Sequence, residues 1–415
     1  VRIDPVQPAY GELIETLREA PVRDLAWLLL SADLLSASRF PAALAQFDGA
    51  PAVANATGEP AAPVDPAAPT TPTTPADRVD PAAGIAPAAP PGIAEPIPHS
   101  RHHTRLQDWL LTCDADVDPL REFLARGESH RLGRYAEQLL HFALLHSPRF
   151  DLLAAGLQVR DARRGNMTLG ECDFLLARRA DRQLLHWELA VKLYLFVPPA
   201  TPSPALDERA VQFHWLGPNL ADSLADKVAR LLDHQLRLTT LEAARSALPA
   251  VGPWLPQVYL KGWLFHPLAQ PGQLPAVASE AHGRGWWATL DAWWAHAQST
   301  PSEAVAARER RWALLPRARW LAPARVSDSA ALSLAAMHAR IETHWRERGI
   351  AEPLLIVSLT RPAGEGDWFE GERGFIVPDF WAPRARHRIE ELSERADAAA
   401  RRALAQSADD GAPSI

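Results

Sequence analysis

Cysteine is nearly absent: Cys113 and Cys172 are the only two in 415 residues. Two cysteines build neither a disulfide framework nor a zinc site, and a chain that uses so few is expected in the cytoplasm. Long apolar runs are missing too. No stretch reaches the ~18 residues of a membrane span. The most apolar early run, Leu25 to Leu35, contains Asp33 and lacks the flanks of a signal peptide. Neither a membrane partner nor an identifiable protein partner is expected, and the sequence leaves the oligomeric state open. Lysine is scarce: Lys192, Lys227 and Lys261 are the only ones among 43 basic residues. A lysine that persists where arginine has otherwise taken over is a candidate for work a planar guanidinium cannot do. Positive charge is also short overall. A net charge of −7 excludes a wholesale nucleic-acid coat and still permits a local basic groove.

What is present suffices for a core, since 47% of residues are hydrophobic. Residues 1–48 carry helical patterning over Tyr10–Leu17 and Pro21–Leu35, too short to fold alone and so expected to pack on the main body. Residues 49–99 are Ala, Pro, Thr and Gly with few large apolar side chains, which reads as a disordered insertion. A core follows over 100–270, an α+β extension over 271–405 and a frayed tail over 406–415. Within the core the spacing predicts short helices at Leu106–Thr112 and Pro119–Arg126, and a clear one at Arg131–His146. Strands are predicted at Leu152–Asp161, Leu169–Arg178 and Gln183–Val197. A helix at Leu220–Leu238 and an internal strand at Gln257–His266 follow. The extension is expected to hold a Trp-rich helix at Trp286–Ala297, a strand at Trp312–Val326 and an amphipathic helix at Ser329–Arg348. Strands at Pro353–Thr360 and Gly374–Val377 and a charged helix at Arg388–Ala405 complete it.

Two runs stand out, Gly170-Glu171-Cys172-Asp173-Phe174 and Trp187-Glu188-Leu189-Ala190-Val191-Lys192. Ala180-Asp181, flanked by Arg179 and Arg182, reads as a tight turn between them. A hairpin centred on that turn sets Asp173 opposite Glu188. The same register puts Leu185, Trp187, Leu189, Val191, Leu193 and Leu195 on one face with Cys172, Phe174 and Leu176. The other face then carries Glu171, Asp173, Glu188 and Lys192. A one-residue slip would destroy this match. Opposed carboxylates repel unless a cation joins them.

These residues, with Glu137 on the preceding helix and the order αβββαβ, resemble the PD-(D/E)XK nuclease superfamily. Further segments make the chain similar to an uncharacterised bacterial family, a domain of unknown function grouped with that superfamily. They are Val22 to Trp27, Arg131 to Glu137, Leu169 to Phe174, His186 to Leu195, Gly217-Pro218-Asn219 with Asp222 and Lys227, and Leu260 to Trp263. The resemblance implies an α/β fold with a restriction-endonuclease-like core and a mixed central sheet. It implies metal-dependent cleavage of DNA or RNA. Asp173 and Glu188 would hold Mg²⁺ (or Mn²⁺), with the Leu189 carbonyl assisting and Glu137 completing the ligation. Lys192 would orient or deprotonate the attacking water. Hard oxygen donors suit such an ion. The superfamily sets its lysine two residues after the acid, where this chain has Ala190. Lys192 lies two further on, about 6–7 Å along the strand, so it must reach back or a bulge must shorten the distance. Glu171 has two readings, a further ligand or the ion-pair partner of Lys192. Lys227, Lys261, Arg317 and Arg319 are candidate nucleic-acid contacts, the two arginines within an Arg- and Trp-rich segment that begins at Arg308. The competing expectation is a protein of nuclease fold that binds nucleic acid or protein without turnover. An arginine plugging the acidic face would favour it.

Overall fold

The computed structural model describes residues 11–47, 106–127, 131–200, 206–299, 310–349, 351–361 and 366–410. The expected insertion at 49–99 and Arg308 lie outside them. The N-terminal part comprises α1 (Gly11–Thr16), α2 (Ala20–Leu30), β1 (Ala43–Leu44), α3 (Leu106–Ala115), α4 (Asp118–Ala125) and α5 (Leu132–Leu145). The central part is β2 (Phe150–Asp161), β3 (Met167–Arg178), β4 (Leu184–Phe196), α6 (Glu208–Phe213), β5 (Trp215–Leu216), α7 (Leu224–Asp233) and β6 (Trp254–Pro267). Next come β7 (Gly283–Thr289), α8 (Leu290–Ser299), β8 (Arg311–Leu315), β9 (Arg325–Val326), α9 (Leu334–Arg348), β10 (Leu354–Thr360), β11 (Trp368–Val377) and α10 (Trp381–Asp410). No helix among the described residues is long and apolar enough to cross a membrane.

The fold is mixed α/β around one sheet, with strand order β2-β3-β4-β6-β7-β11-β10-β8. Short strands β1, β5 and β9 pair with β6, β4 and β11. The β2–β3 and β3–β4 pairs are antiparallel, whereas β4, β6, β7 and β11 run parallel to one another. The order α5–β2–β3–β4–α7–β6 is the one expected. β6 is internal, lying between β4 and β7, with β1 beside its N-terminal end.

Alternation along β4 explains the layering. Leu185, Trp187, Leu189 and Val191 join Phe174 and Leu176 in a core with α2 and α5. From the neighbouring positions Tyr194 and Phe196 pack with Leu224 and Leu231 of α7. Each large apolar side chain so buried contributes about 1.5–3 kcal/mol. Helix α2 is tied to the sheet: Tyr259 donates to the Leu28 carbonyl at 2.9 Å, and Trp27 stacks on Trp263 with centroids 6.2 Å apart.

Several boundaries differ from expectation. The helix foreseen over Leu220–Leu238 is shortened to α7. Leu220 has φ 58°, and Ser223 caps the helix by accepting from Asp226 N. His234, at φ −133°, ends it before a 3-10 turn over Gln235–Thr240. Trp286 and Trp287 belong to strand β7, and the foreseen Trp-rich helix is helical only from Leu290 onward. The Trp312–Val326 segment holds two short strands around a 3-10 turn at Arg317–Arg319. Helix α10 continues to Asp410, past the tail boundary placed at 405. Residues 271–405 extend the central sheet through β7, β11, β10 and β8.

Candidate functional site

The hairpin register is the expected one: Phe174 pairs with Trp187, Leu175 with His186, Leu176 with Leu185 and Ala177 with Leu184. The turn closes with Arg182 N donating to the Arg178 carbonyl at 2.8 Å and Arg182 at φ 59°. The ladder stops at the rung before Asp173 and Glu188. There the strands part, and the Asp173 carboxylate enters the gap, accepting from Leu189 N–H at 2.8 Å. Past this splay the alternation is reset. Cys172 leaves the Phe174 face and packs with Val159, Leu175, Leu238 and Trp254, which corrects the single apolar face expected for β3.

Glu188 is fully buried and both its oxygens are satisfied. Oε1 lies 2.8 Å from His186 Nε2, and Oε2 accepts from Gln235 Nε2 at 2.6 Å. An ionised Glu188 requires the Nε2–H tautomer of His186. Gln235 in turn accepts from Lys227 Nζ at 2.9 Å, so α7 and the following turn reach Glu188 through a carboxamide. Lys227 is 9% exposed. Burial, and next the charge of Lys192, lower its ammonium pKa to about 8 against the pull of Glu188 and Asp173. It is a buried group at the site and not the surface nucleic-acid contact expected.

Lys192 does not reach back. Its Nζ pairs with Asp222 Oδ2 at 2.6 Å, and Tyr194 OH donates to the same oxygen at 3.3 Å. The β4–β6 register is unbroken from Leu184 to Leu195, so no bulge brings Lys192 closer. Glu171 pairs instead with Arg134, whose Nη1 stands 3.2 Å from Glu171 and 2.6 Å from Glu137. Lys261 is buried, bonded to the Ser31 carbonyl and to Asp33 at 2.6 and 2.8 Å, and secures the end of α2. It presents no charge to a polymer. Arg317 is exposed, near Glu352 and Asn219, while Arg319 is half-buried beside the charges of Asp24 and Arg23.

Glu137, Glu171 and Asp173 open onto one cleft of about 680 Å³, lined also by Arg134, Arg230, Asp233, His234 and Gln235. Glu188 lies behind Gln235. Burial, then the charges of Glu188 and Glu137, push the Asp173 carboxyl up to about 8. Burial also raises Glu137, with Arg134 opposing it. Burial is the larger cause at both groups, and the neighbouring carboxylates add to it. Their hard oxygens suit Mg²⁺ or Mn²⁺ in donor type and charge. In the present arrangement no three His, Cys, Asp or Glu side chains among the described residues stand close enough to hold a metal. Arg134 pairs with Glu137 and Glu171, and Gln235 and His186 hold Glu188.

Sequence reasoning placed Asp173, Glu188 and Glu137 together and missed Gln235, His186 and the role of Arg134. The i, i+3 spacing of Arg134 and Glu137 was the available signal for the last. Among known proteins, no curated protein matches the chain and no solved structure matches it. A family model described as Domain of unknown function (DUF1853) matches residues 23–377.

Proposed function

The chain belongs to the DUF1853 family, a premise that supplies no chemistry, and from the cleft we propose a metal-dependent phosphodiesterase acting on DNA or RNA. Its scaffold is read as a restriction-endonuclease-like core of the PD-(D/E)XK type. The order α5–β2–β3–β4–α7–β6, with β6 parallel to β4, supports that reading. The observation that carries it is Asp173, set where β3 and β4 part, its carboxyl raised by burial, Glu188 and Glu137. Such a cluster calls for a cation.

Asp173, Glu188 and Glu137 would hold Mg²⁺ or Mn²⁺ only after rearranging from their present spacing. When bound, the ion supplies an acidified water and neutralises charge on the phosphate. Glu188 must first release Gln235, which lies between it and Lys227. Lys227 takes the place foreseen for Lys192: it is delivered from α7, buried, and joined to Glu188 through one side chain. Its ammonium stabilises negative charge at the rear of the cleft. The engagement of Lys192 by Asp222 and of Arg134 by two glutamates favours a second reading, a binder without turnover.

Incubation with a mixed panel of DNA and RNA in Mg²⁺ or Mn²⁺ decides between them. Cleavage should fall by about 10²-fold or more in Glu188→Gln. Cleavage undiminished in that variant overturns the assignment of the site. Wild-type binding without cleavage selects the second reading.

A further inference from the structure

Residues 268–282, which join β6 to β7, are lashed to three other parts of the chain. Gln273 bonds both ways with the main chain of Leu206: its Oε1 accepts from the N–H at 2.9 Å, and its Nε2 donates to the carbonyl at 2.7 Å. The Gln273 carbonyl accepts from Trp215 Nε1 of β5 at 3.1 Å. Ala276 N–H donates to Glu208 of α6 at 2.7 Å. Ser279 N–H donates to the Leu34 carbonyl at 2.9 Å, and the Val277 carbonyl accepts from Ser36 N–H at 2.8 Å. Ala278 is buried with Leu34, Leu35 and Trp215, in the core that also holds Leu224 and Leu231 of α7.

A buried histidine stands at each end of this connection, His266 at 5% and His282 at 1% exposure. Hydrogen bonding fixes each in one neutral tautomer. His266 Nδ1 accepts from Gly272 N–H at 2.8 Å, so its own hydrogen is on Nε2. His282 Nδ1 donates to the Ser279 carbonyl, so Nε2 is the bare nitrogen; it is buried without a partner among the described residues. An added proton therefore has one place to go on each ring. On His266 it lands on Nδ1 and sets two donors face to face. On His282 it lands on Nε2, where no acceptor waits. Among the described residues neither ring has a carboxylate partner, and the guanidinium of Arg284 on β7 acts on both. Arg284 itself donates to the Glu280 carbonyl. Glu208 is turned to Ala276 and Val277, and His214 lies beyond the rings of Trp215 and Phe196.

We propose that residues 268–282 are a proton-released strap: seated while His266 and His282 are neutral, and freed from β5, α6 and the 34–36 segment when both take protons. The proposal is independent of any reading of the cleft. Burial is the main cause that lowers both rings to about 4; His282 and Arg284 add to it at His266, while at His282 the Ser279 carbonyl opposes it and Arg284 adds. The ordinary value is 6.5. Below it a freed strap takes up protons that a seated one refuses, so seating weakens as pH falls, down to about 4. The freed strap uncovers the core it shares with α7, and acid thereby loosens the helix that contributes Ala229, Arg230 and Asp233 to the cleft wall.

Hydrogen exchange on the full chain tests it, as protection factors at pH 7.5 and 5.0 with the intrinsic exchange rate divided out. Wild type is compared with His266→Asn, His282→Asn, the double variant and Glu208→Gln. An asparagine amide keeps an acceptor at 266 and a donor at 282 without titrating. The Gly272 and Ser279 amides of wild type should lose about tenfold or more in protection at pH 5.0 and exchange faster there than β4. The double variant should lose little, each single variant about half as much on a logarithmic scale, and Glu208→Gln as much as wild type. Wild-type protection indifferent to pH overturns the strap. So does a loss that persists in the double variant, one that disappears in Glu208→Gln, or exchange of the strap and β4 as one unit at pH 5.0. Nitrogen-15 spectra of the wild-type histidines need no variant: at pH 7.5 His266 should carry its hydrogen on Nε2 and His282 on Nδ1, and the reverse tautomers overturn the proposal.

Discussion

At Asp173 the raised carboxyl has a thermodynamic consequence whose sign is fixed. Its ordinary value is 3.8, and burial, Glu188 and Glu137 push it to about 8 in the folded protein. Below about pH 4 both folded and unfolded chains carry the proton, and the side chain does not oppose folding. As pH rises the unfolded chain ionises freely while the folded one resists, so stability is lost until the folded group ionises near 8. Asp173→Asn removes that loss and can still accept from Leu189 N–H. It should therefore be more stable than wild type at pH 8 by roughly 1–3 kcal/mol, with the gain vanishing at pH 4. Urea unfolding at the two pH values measures it. Glu137 entered only through the family resemblance, whereas the residue types and register of Asp173 and Glu188 were legible in sequence through period-2 alternation. Partner choice was not. Whether Lys192 turned to Glu171 or to Asp222 depends on a turn thirty residues away, which no local pattern encodes.

Between elements, β4 and β6 approach closely at Gly262. Lys192 pairs with Gly262, and a Cβ at Gly262 would stand 1.9 Å from the Lys192 carbonyl oxygen. Backbone cannot yield as a flexible side chain does. Gly262→Ala should cost about 1–3 kcal/mol, read as a lower denaturation midpoint, and should disturb the Lys192–Asp222 pair. Elements with an uninterrupted period were recovered from sequence, as α5, β4 and β6 show. Elements interrupted by special backbone were not. The foreseen nineteen-residue helix failed because Leu220 adopts a left-handed conformation and His234 leaves helical geometry. Trp286 and Trp287 were misassigned because a short apolar run fits a buried strand as well as a helix.

Across the whole molecule, the boundary expected near residue 270 is crossed by the sheet, since β7 continues from β6. Arg373 of β11 fastens the two halves. Its guanidinium lies 3.8 Å from the Trp263 ring centroid, pairs with Glu370 and donates to the carbonyls of Trp320, Leu321 and Ala322. The same loop donates from Ala322 N to Asp24, which also accepts from Tyr135 OH, so α2 and α5 are held by it. Arg373→Met leaves Glu370 buried without its partner. A loss of about 3–5 kcal/mol is expected, seen in chemical denaturation as one transition moved to lower denaturant.

The bond from Leu189 N–H to Asp173 gives one side chain the duty of a strand rung. A descendant that had abandoned all chemistry would still need an acceptor at this place to satisfy the Leu189 N–H where the β3–β4 ladder ends. Under the proposed function, architecture and reactivity would thus be inherited through the same side chain. The persistence of Asp or Asn there among relatives would testify to the sheet alone, while Lys227, which closes no ladder, would be free to drift once turnover was lost.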